Sequence, residues 1–314
     1  MRAPILYTII PCYNEEELLE VTISHLNELY DQWIRQNIIS EGSRLLYVND
    51  GSTDNTWHII ERFHSICSQV GGVNLSSNVG HQNALLAGLT VAVDKADLMV
   101  TIDADLQDDP TVISEMVDEY NKGADIVYGV RKERKKDTFF KRITALGFYK
   151  TMDWLGTKTV YNHADFRLMS KRAVNQLLLY RERNLFLRGI VPHLGYHSAC
   201  VYYNRAERMA GKSKYPINKM VSFAVDGITS FSTKPVHMII YLGVIFLLIS
   251  FGILVWVVWS LMSGQVVKGW SSIILSIWFC SGCVLISMGI VGEYIGKIYV
   301  EVKDRPRFNI VQTL

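Results

Sequence analysis

Several familiar signatures are missing from this 314-residue chain. No Gly-x-x-x-x-Gly-Lys-Ser/Thr run occurs, which excludes the phosphate loop of nucleoside triphosphatases. Cysteine is sparse: the five residues fit a reducing compartment. Cys280 and Cys283 have the spacing of a redox or zinc pair, but they fall in an apolar helical run with no second ligand pair and read as packing residues. His81, His163 and His193 share no spacing that would mark a metal cluster. Charge imbalance is absent as well, since 32 basic against 30 acidic residues leave +2, which says little about partners; no nucleic-acid partner is expected. A secretory signal is not seen either, because Met1-Arg2-Ala3-Pro4 leads into a short apolar run and then Pro11 and Asn14, without a long apolar stretch or cleavage site. The first part of the chain is therefore expected to stay in the cytoplasm.

Charge is also missing locally. Residues 236–262 carry no Asp, Glu, Lys or Arg and are long enough to cross roughly 30 Å of hydrocarbon, and a second such run spans about 270–291. The Ser263–Gly269 linker is short enough only for a hairpin loop, so two membrane helices would put both chain ends on one side. Lys212, Lys214, Lys219 and Lys234 precede the first run and Lys297, Lys303, Arg305 and Arg307 follow the second, against Lys268 alone between them, which places both ends in the cytoplasm. The same placement favours anionic headgroups or a lipid phosphate. The spacing divides the chain into a soluble domain over 1–216, an amphipathic juxtamembrane helix over 217–235, two spans within 236–293 and a cytoplasmic tail over 294–314. Phe139 to Lys150 is a further amphipathic stretch that could lie in the headgroup plane.

What is present in the first domain alternates strand and helix. Ile5–Ile10, Leu45–Val48, Val73–Leu75 and Leu98–Ile102 read as strands, and Glu15–Tyr30, the segment around Trp57, Ile60 and Phe63, and Gln82–Val93 read as helices. Ser52, Thr53 and Asp54 are the candidate caps of the second helix. Such alternation implies a largely parallel sheet with ligands at the strands' carboxyl ends. At one of those ends Asp103, Asp105 and Gln107 stand two residues apart, and an extended chain would aim all three the same way. Hard oxygen ligands there suit Mg²⁺ or Mn²⁺, ions that combine a few carboxylates with substrate phosphates. A nucleoside-diphosphate donor is the leading idea. Arg131, Arg134, Arg167, Arg205 and Arg208 form a second group, suited by the guanidinium fork to phosphate, with Ser213 and Lys214 on the approach to the membrane.

Pro11-Cys12-Tyr13-Asn14-Glu15, Asn49-Asp50-Gly51-Ser52-Thr53-Asp54, Asn78-Val79-Gly80 with Ala84 and Gly88, and Asp103-Ala104-Asp105-Leu106-Gln107 together resemble the ordered signature of family 2 glycosyltransferases. Asp165-Phe166-Arg167, Glu182-Arg183-Asn184-Leu185-Phe186, Arg205-Ala206-Glu207-Arg208, Gly211-Lys212-Ser213-Lys214-Tyr215 and Gly292-Glu293-Tyr294-Ile295-Gly296-Lys297 are similar to the polyprenyl-phosphate branch, that of the dolichol-phosphate mannose synthases and bactoprenol glucosyltransferases. The resemblance covers nearly the whole chain. It implies a GT-A-like α/β domain, related to the Rossmann fold, followed by a two-helix membrane hairpin.

It also implies roles. Asp105 and Gln107 would hold Mg²⁺ or Mn²⁺, with Asp103 beside the ion or the donor sugar and ribose. Pro11, Tyr13 and Glu15 would border the nucleobase and ribose, and Asp50 would accept a hydrogen bond from the base. The family's common double Asp is here Asn49-Asp50, which alters that contact. Arg131, Arg167, Arg205, Arg208, Ser213 and Lys214 would hold the acceptor phosphate and diphosphate, and Asp165 would position or deprotonate the nucleophile. The implied reaction is inverting transfer of a hexose, foremost from UDP-glucose, to undecaprenyl phosphate in a plasma-membrane homo-oligomer, a tetramer by resemblance. The rivals are a processive polysaccharide synthase, which would need more spans and a Gln-x-x-Arg-Trp motif, and a non-enzymatic membrane scaffold with a degenerate domain, which intact Asp103, Asp105, Gln107 and Asp165 oppose.

Overall fold

Apolar runs of strand length separated by amphipathic helical segments give an eight-stranded mixed sheet in the order β7-β5-β6-β4-β1-β2-β3-β8. A computed structural model describes residues 2–132, 163–182, 187–204, 234–263 and 269–314. The first half runs β1 (Leu6–Cys12), α1 (Leu19–Arg35), β2 (Arg44–Asn49), α2 (Thr56–Ile66), β3 (Val70–Leu75), α3 (His81–Ala92) and β4 (Leu98–Thr101). A single 3-10 turn, Pro110–Val112, leads to α4 (Ile113–Asn121) and β5 (Ile126–Arg131), and then come β6 (His163–Ser170), α5 (Lys171–Leu178), α6 (Leu187–His193) and β7 (Ser198–Tyr203). Two long helices, α7 (Lys234–Met262) and α8 (Trp270–Val302), precede the last strand, β8 (Ile310–Thr313).

The expected largely parallel sheet is present: β1 pairs in parallel with β2 and β4, β2 with β3, and β5 with β7, while β6 and β8 run against their neighbours. β1 is central and covered on both faces, so Leu6, Ile9 and Ile10 are fully buried, as an interior parallel strand requires. On α1 the helical spacing of Leu19, Ile23, Leu26, Tyr30 and Trp33 forms the stripe that packs into this core. Gly88 of α3 meets the sheet so closely that a Cβ there would lie 2.3 Å from Ile9 Cγ2, and the helix could not seat with a larger residue. The chain steps from β1 outward to β2 and β3, then crosses back to β4 on β1's other side. That reversal opens a crevice at the carboxyl ends of β1 and β4.

The described residues fall into two compact units: those up to 204 together with Arg305–Leu314, and those from 234 to Asp304. The first unit regains the chain's last residues because β8 adds antiparallel to the exposed edge of β3, where Leu314 donates its N–H to Gly72 O at 2.8 Å. Sequence reading leaves these residues in a tail. The second unit holds α7 and α8; α8 continues to Val302, past the end expected at 291. Among the described residues one stretch, Phe279–Val302, is long and apolar enough to cross a membrane. The amphipathic segments 139–150 and 217–233, and the linker residues 264–268, lie outside the described residues.

Candidate active site

The loops leaving β1 and β2 are stitched to each other. Asn14, held in the left-handed region at φ 52°, donates its N–H to Ser52 Oγ at 3.0 Å and accepts from Thr53 N at 2.8 Å. Glu15 N donates to Thr56 Oγ1 at 3.0 Å, and Glu16 N to Asp54 Oδ2 at 3.2 Å. Asp54 also accepts from Thr56 N at 3.0 Å, so of the three expected caps it alone takes up a first-turn N–H of α2. Against the penalty of burial, these bonds hold its carboxyl below the usual range. Tyr13 stands exposed at the rim of this double loop and Pro11 and Glu15 are half-buried in it.

Asp50 is buried at the end of β2, where Oδ1 accepts from Val79 N at 2.7 Å and Oδ2 from Gly80 N at 3.0 Å. Its carboxylate therefore ties the β3–α3 loop to β2, and burial raises its pKa despite those bonds. Asn49 is engaged likewise, giving Nδ2–H to Asn74 Oδ1 at 2.7 Å and accepting from Ser52 N. Gly51, next in the chain, has φ 62°, and a Cβ on it would lie 2.4 Å from the backbone carbonyl carbon of Ser77. Only glycine lets the two loops touch.

At the end of β4 the structure corrects the expected alternation. The strand stops at Thr101, and the chain turns through Ala104 and Asp105 to Leu106, which sits at φ 49°. Asp105 Oδ1 accepts from Gln107 N at 3.2 Å and Ala104 O accepts from Thr22 Oγ1 at 2.9 Å, bonds that favour a turn over an extended chain. Asp103 and Asp105 are half-buried in the crevice, whereas Gln107 and Asp108 are buried beneath it. Asp108 accepts from Arg131 Nε at 3.1 Å and Nη2 at 2.9 Å, and from Tyr203 Oη at 2.6 Å. Arg131, one of the expected phosphate ligands, is thus seated on a carboxylate.

β6 runs antiparallel to β4 with Arg167 opposite Thr101, so its first residues come up beside the same crevice. Thr101 Oγ1 donates to Asp165 O at 2.5 Å. The Asp165 carboxylate accepts from Arg167 Nη2 at 2.7 Å and from Arg188 Nε and Nη2 at 3.1 and 2.8 Å. Burial alone would raise its pKa, but Arg188 and Arg167 hold it far below the usual carboxylate range. Arg167, expected as a phosphate ligand, is 1% exposed and gives its other arm to Leu187 O at 3.2 Å.

Asp103 is shifted the other way. Burial raises its pKa, as do Asp165, Asp108 and Asp105 nearby, with His81 opposing them from 3.5 Å. Crowded carboxylates of this kind are relieved by a cation, so the β4 end fits a divalent ion. Among the described residues no three His, Cys, Asp or Glu side chains converge on one point. Asp103 and Asp105 are the side chains placed to supply one or two carboxylates, the share Mg²⁺ takes from protein when phosphates complete its shell. Arg205, Arg208, Ser213 and Lys214 lie outside the described residues.

Sequence reasoning passed over Asp108, Tyr203 and Arg188, and set His81 aside as structural or exposed. The available signal for Arg188 is a lone cation inside the apolar run Leu187–Ile190–Val191, immediately after the Glu182–Phe186 motif. The family model described as Glycosyl transferase family 2 matches residues 7–178. A Bacillus subtilis (strain 168) protein described as the uncharacterized glycosyltransferase YkoT is 50% identical over 307 residues, spanning 98% of this chain and 91% of its own length. The bactoprenol glucosyl transferase of Shigella phage SfII is 39% identical over 304 residues, 96% of each chain. Among solved structures, glucosyl-3-phosphoglycerate synthase from Mycobacterium tuberculosis in complex with Mn²⁺, UDP and phosphoglyceric acid aligns with a TM-score of 0.47 at 16% identity, over 72% of this chain and 76% of that one.

Proposed function

The chain belongs to glycosyl transferase family 2, and from that premise we propose that it moves glucose from UDP-glucose to undecaprenyl phosphate with inversion at the anomeric carbon. The observation that carries this reading is the pairing, at one sheet end, of an acidic cluster suited to a metal diphosphate with a carboxylate held by two arginines. Relatives named as bactoprenol glucosyl transferases match nearly the full length, α7 and α8 included, which supports a polyprenyl-phosphate acceptor and the hexose.

In the reaction an acceptor phosphate oxygen bonds to the anomeric carbon as the bond from that carbon to the donor diphosphate breaks, and UDP leaves from the opposite face. Mg²⁺ or Mn²⁺ held by Asp105 and Asp103, with Gln107 beneath, would offset the charge growing on the leaving diphosphate. Pro11, Tyr13 and Glu15 border the nucleoside, and Asp50 acts on it through the loop it fixes. Arg205, Arg208, Ser213 and Lys214 draw the lipid phosphate in. A phosphate monoester with a second pKa near 6 is already largely anionic at neutral pH, so no proton need be removed from it. Asp165, with its proton affinity so depressed, is unsuited to that task in any case. It orients.

Connectivity supports the membrane part of this reading. The chain leaves the sheet-bearing unit before Lys234 and returns to it at Arg305 to add β8. A segment that starts and ends in one folded body crosses a bilayer an even number of times, so if α8 spans, α7 spans with it. Tyr241, Leu248, Phe251 and Trp259 of α7 are exposed in the isolated chain, an apolar surface that lipid would cover. The reading is tested by incubating the purified full-length protein with labelled UDP-glucose, undecaprenyl phosphate and Mn²⁺. Label should pass to an acid-labile lipid, and a panel of other sugar nucleotides should be poorer donors. Absence of any lipid-linked product from every donor would reject it.

A further inference from the structure

We propose that Asp108 is a positioning residue for the loop after β4, fixing the Asp105 carboxylate for the metal diphosphate by fastening that loop to β5 and β7; the inference rests on the transferase reading above. Asp108 belongs to the same acidic run as Asp103 and Asp105, but its surroundings give it a different task. It is buried, and protein groups fill its carboxylate. Oδ1 accepts from Arg131 Nε at 3.1 Å, Arg131 Nη2 at 2.9 Å and Tyr203 Oη at 2.6 Å, and Oδ2 accepts from Arg131 Nη2 at 3.2 Å. A carboxylate taken up by a guanidinium fork and a phenol serves as a fastening rather than as a metal ligand.

The donors reach it from a fixed platform. Arg131 and Tyr203 are the last residues of β5 and β7, and the parallel register sets them side by side. Tyr203 is buried, with its ring edge-on to that of Phe166 at 5.5 Å between centroids, so the phenol stays aimed. In the sheet β4 pairs with β1 and β6. The Asp108 bonds therefore tie its loop to strands that β4 itself does not pair with.

The near side of the loop is fastened by Thr22 Oγ1, which donates to Ala104 O at 2.9 Å. Asp105 stands between the two fastenings. It is followed by Leu106, whose φ of 49° is a conformation that leucine keeps only where its surroundings impose it. Leu106 also packs against the core, so the turn is held from both ends and from beneath. Once Asp108 is released the turn can relax and carry the Asp105 carboxylate with it. Mg²⁺ demands near-ideal octahedral geometry, which makes it the ion most sensitive to such a displacement.

Tyr203→Phe removes one hydroxyl and keeps the ring; Asp108→Asn keeps the shape and removes the charge. Uptake of Mn²⁺ by the full-length protein in the presence of UDP is read from loss of the free-ion signal in electron paramagnetic resonance. Tyr203→Phe should weaken it about three- to tenfold, and Asp108→Asn by more. Because both act through one fastening, the double variant should bind no more weakly than Asp108→Asn. The ratio of Mg²⁺- to Mn²⁺-supported turnover should fall in each. Ser170→Ala is the control. It takes a hydroxyl from the buried Asp125 carboxylate, a bond of 2.9 Å at the opposite end of β5, so it should lower the melting temperature and leave uptake and the ratio unchanged. Wild-type uptake and ratio in both Tyr203→Phe and Asp108→Asn, or an equal fall in Ser170→Ala, would overturn the proposal. If Asp108→Asn does not fold, Tyr203→Phe decides alone. A wild type that takes up Mn²⁺ with UDP but transfers no sugar refutes the transferase reading, and uptake by the variants still judges the fastening. A wild type that takes up no Mn²⁺ with UDP overturns the positioning role whether or not sugar is transferred.

Discussion

Asp165→Asn is the most informative single change, because it removes one negative charge from between two guanidinium groups of unequal exposure. Arg188 can turn toward water. Arg167 cannot, being 1% exposed with one arm on Leu187 O, and without a counter-charge it becomes an unpaired ion in the interior. Removing one partner of a buried pair costs about 3–5 kcal/mol. In a body of this size each kcal/mol moves the melting temperature by about 2–4 °C, so a fall of roughly 6–20 °C is expected in detergent by intrinsic tryptophan fluorescence. Replacing Arg167 as well, as in Asp165→Asn/Arg167→Leu, should recover most of it. The pH dependence has a definite sign. A carboxyl held far below its unfolded pKa of about 3.9 contributes stability that is complete above that pKa and is lost as pH falls toward the folded value. The gap between wild type and variant should therefore be full at pH 7 and narrow below about pH 4. The same variant tests the chemistry: its residual rate should follow a group titrating near pH 6, as the acceptor phosphate does. Melting within about 2 °C of wild type would show that Arg167 finds another counter-charge, and a rate that climbs steeply above pH 7 would make Asp165 the base.

Four other outcomes are expected. Asp105→Ala should lower turnover by about two to three orders of magnitude with the melting temperature nearly unchanged, and EDTA should abolish wild-type activity until Mg²⁺ or Mn²⁺ is restored; full activity in EDTA would sink the metal assignment. Gly51→Ala forces a Cβ to 2.4 Å from the Ser77 backbone at φ 62°, so donor binding and stability should fall together by about 2 kcal/mol or more, and a wild-type melting curve would show that the loops can part. Removing residues 309–314 uncovers the edge of β3 and should lower the melting temperature and promote aggregation, both read by light scattering on heating. Single cysteines placed in residues 264–269 should label from the side opposite to one placed at Leu314; labelling of both from one side would refute the paired spans.

Much of the first unit was legible because period decides element type. Leu19, Ile23 and Leu26 recur at helical spacing and the short runs at β1, β2 and β4 are apolar throughout, so the alternation and the parallel sheet followed. What pattern does not contain is where a strand ends. Asp103, Asp105 and Gln107 read as one face of an extended chain, yet the strand stops at Thr101 and local carboxylate–amide bonds bend the rest. Residues joined only by the fold were the least visible. Arg188 lies 23 positions from Asp165 and Tyr203 lies 95 from Asp108, separations at which no spacing rule operates. β8 was hidden for a related reason. Ile310–Thr313 is four residues long and follows a basic segment, so only the edge of β3 makes it a strand.

The arrangement of charge explains why two carboxylates in this crevice differ in proton affinity. Asp103 follows the end of β4 and Asp165 lies on the adjoining β6, the two brought together by the Thr101–Arg167 register, and burial acts on both in the same direction. Their pKa values nevertheless part. Asp165 has two guanidinium groups within 3.1 Å and stays ionised, whereas Asp103 has carboxylates around it and one imidazole at 3.5 Å. The β4 end of the crevice is thus short of positive charge, whereas Asp165 is supplied with it. A metal diphosphate would make up the shortfall, bringing a cation to Asp103 and Asp105.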